Sequence, residues 1–274
     1  MGHMSREQEG IMERLFFREK IRQDYNHLEE GAMLDRQKFV VGVTGIGAGA
    51  GATFTAMGLA FRLGEMTSGV TYLEGQPHRN QSVSPYRLLS VDRDFRRTAV
   101  KNGHGIGRIN LYKRVNWQVY SPEEAETAEP GCIDEKAAAQ FYREQEMPTD
   151  LRQLPGRIII VDNPICFDEI DLLVAVIDPF PPRISAGLEI YKKIREIAAK
   201  GGPEHRKVIW LINKSDEGMA RREAERFLKL KSDFEQRLLS EEVFYKAAYS
   251  CSQPFFMCET EGLDRLAAKI LNSI

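Results

Sequence analysis

The sequence predicts a three-layer α/β fold built on a doubly wound, mostly parallel sheet. Three observations predict it. Short continuous apolar runs recur along the chain, each of the length expected for a strand covered on both faces. Helical stretches separate these runs, as successive βαβ units require. The first run also passes through a glycine-rich turn directly into a helix. A chain of 274 residues can bury such a core as one domain.

Residues 5–37 are rich in charge and place Ile11, Leu15, Ile21, Tyr25 and Leu28 at roughly helical spacing. This predicts an N-terminal helical extension over residues 1–37, its helix ending near Gly31. Met1, Gly2 and His3 ahead of Met4 read as a cloning remnant. The main domain is expected over residues 38–274. Its first strand is 38–43, and the helix after the turn is 53–63. Further strands are expected at 70–73, 117–120, 157–161, 172–177 and 208–212. Asp162-Asn163-Pro164 and Asp178-Pro179 stop two of them. Helices are expected over 185–200, 219–239 and 263–274.

Composition narrows the function classes. A net charge of −2 excludes polyanion binding by bulk charge. No apolar run spans a bilayer and no signal-peptide pattern opens the chain, so a cytoplasmic protein is expected. Cys132, Cys166, Cys251 and Cys258 form no CxxC pair, and the five histidines lack metal-ligand spacing. Reduced, partly buried thiols are expected rather than a zinc or iron–sulfur site.

The chemistry is expected in the glycine-rich turn, residues 44–54, between a buried strand and a helix. Glycines let backbone N–H groups turn inward around phosphate oxygens, and the helix N-terminus adds partial positive charge. Gly47, Ala48, Gly49, Ala50, Gly51, Ala52, Thr53 and Phe54 are the candidate phosphate-binding residues, with the Thr53 hydroxyl placed to meet Mg²⁺.

Aligned on Gly51-Ala52-Thr53, the turn resembles the deviant phosphate loop of the MinD/ParA ATPases, KGGxGK[ST][ST]. The likeness runs over about residues 38–274. Val70-Thr71-Tyr72-Leu73-Glu74 resembles the family's second strand with its acidic end. Residues 158–164 resemble the Walker B strand and the turn after it. Residues 173–183 resemble the next strand and its proline-containing loop, and Ile212-Asn213-Lys214 the strand whose Asn contacts the base. The resemblance implies a P-loop NTPase-like fold, a bound ATP or ADP with Mg²⁺, Asp162 as a Mg²⁺ carboxylate acting through water, and Glu74 at the γ-phosphate. It also implies a protein partner in a localisation or assembly system, and a homodimer. Among subgroups, the TadZ/CpaE-type proteins that place pilus, secretion or division machinery are the nearest functional analogues.

Two departures change the expected activity. The Walker lysine position is Ala52, and the second, signature lysine position is Gly47. That lysine neutralises charge developing between the β- and γ-phosphates, so without it hydrolysis is expected to be absent or very weak. Binding can persist through backbone N–H groups. Three readings stay open: a nucleotide sensor, a scaffold that binds no nucleotide, and an active enzyme with a lysine supplied from elsewhere.

Asn213-Lys214-Ser215-Asp216 also matches the NKxD pattern of GTPases, in which Asp216 would select guanine and GTP would replace ATP. Its competitor is a polar loop capping the next helix. For Asp162 and Glu74 the competing readings are a turn-capping aspartate and a solvated strand end. Residues 78–114 are strongly basic and 123–150 strongly acidic. The basic stretch offers a surface to DNA, but a solvated or internally paired surface is favoured. The last helix repeats Leu263, Leu266, Ala267, Ile270, Leu271 and Ile274 on one face. With Arg265 and Lys269 as its cations, it is expected to dock on the sheet rather than on a membrane.

Overall fold

The computed structural model describes residues 38–75, 85–90, 92, 95, 110–112, 114–119, 151–164, 167–199, 207–214, 219–236 and 261–274. The expected N-terminal extension, the four cysteines, Asp216, the acidic stretch and most of the basic stretch lie outside them.

Eight strands form one sheet: β1 (Phe39–Ile46), β2 (Val70–Glu74), β3 (Asn110–Tyr112), β4 (Val115–Gln118), β5 (Ile158–Asp162), β6 (Leu172–Ile177), β7 (Lys207–Asn213) and β8 (Phe234–Gln236). Their order is β3-β4-β2-β5-β1-β6-β7-β8. Every neighbouring pair is parallel except β3–β4 at one edge. The helices are α1 (Ala52–Met66), α2 (Pro85–Leu89), α3 (Pro181–Ala186), α4 (Leu188–Ala199), α5 (Met219–Leu228) and α6 (Glu261–Leu271).

Alternation within the strands builds two cores. Val41, Val43, Tyr72, Trp117, Ile160 and Val174 face α1 and α6. Val40, Leu73, Ile159, Val161, Leu173 and Ile177 face Ile184, Tyr191, Ile194, Ala224 and Leu228 from α3, α4 and α5. Burial on both faces explains why β5 and β6 carry no polar residue before Asp162 and Asp178. The last helix docks as expected: Leu263, Leu266, Ala267, Ile270 and Leu271 are buried, and Asp264 pairs at 3.5 Å with the buried Arg62 of α1.

Several boundaries differ from the sequence reading. The helix expected over 219–239 ends at Leu228. Lys229 adopts φ 51, Leu230 N–H donates to Glu225 O at 3.1 Å and Lys229 N–H to Arg226 O at 3.4 Å. This is a Schellman stop, in which lysine takes the left-handed position that glycine usually signals. The chain then forms β8, tied to β7 by Asp233, which accepts from Trp210 N–H at 2.9 Å. The helix expected at 185–200 is two helices broken at Gly187. Strand 117–120 lies earlier, at 115–118, because Arg114 at φ 64 makes the turn from β3, itself too short to show periodicity.

The reversal after α5 is an electrostatic lock. One oxygen of Glu225 accepts from Ser232 Oγ at 2.6 Å, Ser232 N–H at 2.9 Å and Arg221 Nε at 3.0 Å. The Ser232 hydroxyl first, then its N–H and Arg221, hold the Glu225 carboxyl down from 4.5 to about 2. A depressed carboxylate contributes stability above its unfolded value that is lost as pH falls towards the folded one. Glu225→Gln is therefore expected to lower stability at neutral pH and to flatten the acid limb between pH 4.5 and about 2. Urea unfolding across that window, in both proteins, checks it.

Candidate functional site

The loop from Gly47 to Gly51 leaves the carboxyl end of β1, between β5 and β6; the chain runs from β1 to β2 on one side and later crosses from β5 to β6 on the other. In open α/β sheets this switch point is where ligands sit. Gly47 has φ 89 and Gly49 φ 73, a backbone region that L side chains avoid. A Cβ at Gly47 would also stand 2.8 Å from Arg183 O, and one at Gly49 would overlap the Arg183 guanidinium. Gly51 caps α1 in the left-handed conformation with no side-chain hydrogen bond, and no acid stands in the first helical turn. The positive end of α1 is thus offset by neither a side-chain cap nor a first-turn carboxylate.

Three carbonyls in a row along the loop are occupied. Ala48 O and Gly49 O accept from Arg183 Nη1 at 3.4 and 3.1 Å. Gly49 O also accepts from Lys214 Nζ at 2.5 Å, and Ala50 O from Asn213 Nδ2 at 2.9 Å. What residues 48–50 have left to offer a ligand is their N–H groups. Asn213 is fully buried, and its Oδ1 has no partner among the described residues. A buried acceptor of this kind fits an exocyclic amino group of a nucleotide base.

At the ends of β2 and β5, Glu74 and Asp162 lie side by side in register, both buried. Asp162 Oδ2 accepts from Tyr72 OH at 2.8 Å and Oδ1 from Asn163 Nδ2 at 2.8 Å. Burial, then the charges of Asp162 and Glu74, push the Tyr72 hydroxyl well above 10. It stays a proton donor to the carboxylate across the physiological range. Both Asp162 oxygens thus have a donor inside the protein, and a Mg²⁺ there would use their remaining lone pairs through water. Among the described residues no group of three His, Cys, Asp or Glu side chains gathers as a metal site.

The structure brings together Gly47, Ala48, Gly49, Ala50, Gly51 and Asn213 in one place. Ala52, Thr53 and Phe54 open α1 and are buried, with Ala52 in the core and only 6% exposed. Sequence reasoning missed Tyr72, Asp178, Arg183 and Gly187. Tyr72 looks like a core aromatic in a strand, and Asp178 like a strand stop. Gly187, whose Cβ would stand 2.7 Å from Gly47 N, lies inside what reads as one helix.

No protein-family model and no curated protein matches the chain. Solved structures do match. McdA of Cyanothece, determined as an ATP complex, superposes with a TM-score of 0.53 at 13% identity, over 86% of this chain and 97% of its own. The MinC:MinD cell division complex of Aquifex aeolicus gives 0.51 at 12%, over 86% and 95%. The fold is that of the ParA/MinD-type P-loop proteins. A plasmid partition protein of Borrelia burgdorferi bound to AMPPNP gives 0.50 at 12%, over 87% and 100%. No helix among the described residues is long and apolar enough to cross a membrane.

Tyr72→Phe removes the donor from a buried carboxylate oxygen and is expected to cost about 1–3 kcal/mol of stability. Urea denaturation at neutral pH checks this, and an unchanged midpoint would show that Asp162 does not depend on the tyrosine.

Proposed function

We propose that this chain is a MinD/ParA-like protein that binds an adenine nucleotide with Mg²⁺ and responds to it with little or no hydrolysis. Its role would lie in placing or assembling a cellular machine through a protein partner, as a homodimer in the cytoplasm. The carrying observation is the loop. Its carbonyls at 48, 49 and 50 are tied away while the end of α1 stays uncapped, which supports a loop shaped to hold phosphate. The lysines that serve hydrolysis are not.

In this reading the N–H groups of residues 47–51 hold the phosphates, Thr53 meets Mg²⁺, and Asp162 reaches the ion through water. Asn213 receives the base. Glu74 stands at the terminal phosphate, with a side chain one carbon longer than the family's aspartate. Bound Mg²⁺ would supply charge neutralisation between phosphate oxygens. Without a loop lysine, several kcal/mol of transition-state stabilisation are missing, which favours holding nucleotide over spending it.

Isothermal calorimetry is expected to show Mg-ATP or Mg-ADP binding that weakens in Thr53→Val, while phosphate release stays at the uncatalysed rate. Turnover abolished by Asp162→Ala would overturn the sensor reading in favour of an active ATPase or GTPase. Absence of binding to ATP, ADP and GTP would leave an interaction scaffold.

Restoring the Walker lysine tests the same site through stability. Position 52 belongs to the apolar core, so Ala52→Lys forces an ammonium into it. The nucleotide-free variant is expected to lose about 2 kcal/mol, a fall of roughly 4–8 °C in melting temperature, recovered on adding Mg-ATP. Differential scanning calorimetry with and without nucleotide reads both effects.

A further inference from the structure

We propose that Asp178, Arg183 and Lys214 form a charged clamp that positions the phosphate loop in place of the missing lysines. The inference rests on the reading of that loop as a phosphate site. Asp178 and Lys214 follow the neighbouring ends of β6 and β7, which run in parallel register up to Ile177 beside Ile212, and Arg183 lies in α3, the helix after β6. The buried Asp178 is the anchor. Its Oδ2 meets Lys214 Nζ at 3.0 Å and Arg183 Nη1 at 3.2 Å, while Oδ1 accepts from Phe180 N–H at 3.1 Å.

Each cation spans from that carboxylate to the loop. Lys214 Nζ reaches Gly49 O and Arg183 Nη1 reaches Gly49 O and Ala48 O. Two cations and one carboxylate leave a net charge of +1 against a loop with no charged side chain of its own. The Arg183 backbone closes the other side, since its carbonyl lies where a Cβ on Gly47 would go. Gly187 then brings its Cα against the Gly47 amide. Lysines at 47 and 52 would act from inside the loop on the ligand. This clamp acts from outside, on carbonyls, and turns the peptide planes so that their N–H groups face inward.

Arg183, Lys214 and Asp178 are therefore positioning residues, and their effect precedes any ligand. Arg183 and Lys214 are 43% and 25% exposed, so neutral substitutions there need not disturb the fold.

The test is amide hydrogen exchange of residues 47–51 in nucleotide-free protein, for wild type, Arg183→Gln, Lys214→Gln, the double variant and Lys214→Arg. Amides of β1 and β6 serve as the control for global unfolding. Loop exchange is expected to rise by about tenfold in the double variant, less in each single one, with β1 and β6 unchanged. Lys214→Arg, which keeps the charge, is expected to restore most of the protection. High salt, which screens pairs at this exposure, is expected to speed loop exchange in wild type but not in the double variant.

Unchanged loop exchange in the folded double variant overturns the clamp. If Mg-ATP affinity nevertheless falls in Arg183→Gln, the arginine touches phosphate directly and the clamp is again wrong. Wild-type protein that binds no nucleotide overturns the phosphate reading alone, because loop exchange still decides the clamp.

Discussion

Strand β1 pairs with β5 from Phe39 to Val43 and with β6 from Val41 to Ile46, and it is covered above and below. A parallel strand in that position has no alternative partner for its backbone groups, and a slip of one residue would turn Val41 and Val43 to the wrong core. Its carboxyl end is therefore fixed in space. The ends of β2, β5, β6 and β7 are fixed relative to it by register, and they deliver Glu74, Asp162, Asp178 and Asn213 to one edge of the sheet.

At that edge, polar groups are satisfied by one another rather than by solvent. Asp162 takes a proton donor from Tyr72, Asp178 gathers two cations, and Asn213 spends its amide on a loop carbonyl. The Tyr72–Asp162 and Asn213–Ala50 bonds are made out of solvent, where leaving a partner unmatched is costly. The Asn213 Oδ1, without a partner among the described residues, stands out against this background. A site so thoroughly braced resists deformation.

The sheet was legible because burial on both faces writes long apolar runs into residues 158–161 and 172–177, and two faces of packing leave little room for other patterns. The loop was legible because three glycines alternate within five residues between a strand and a helix. Residues whose sequence signal served another purpose were not legible. Lys229 ends a helix in a conformation usually left to glycine, so the helix read eleven residues too long, through β8. Arg183 and Asp178 carry no motif. Arg183 reaches the loop because β6 lies beside β1, and Asp178 meets Lys214 because β7 lies beside β6; spacing along one chain does not encode those adjacencies.

The packing of Gly47 against Arg183 O and Gly187 limits what substitution can do at this position. A lysine at position 47 is barred by both its backbone angle and its neighbour, so a single substitution cannot place that side chain there. Helix α3 would have to move first, and moving it would strip the arginine from the loop carbonyls. A lysine here therefore needs coordinated changes in two separate segments.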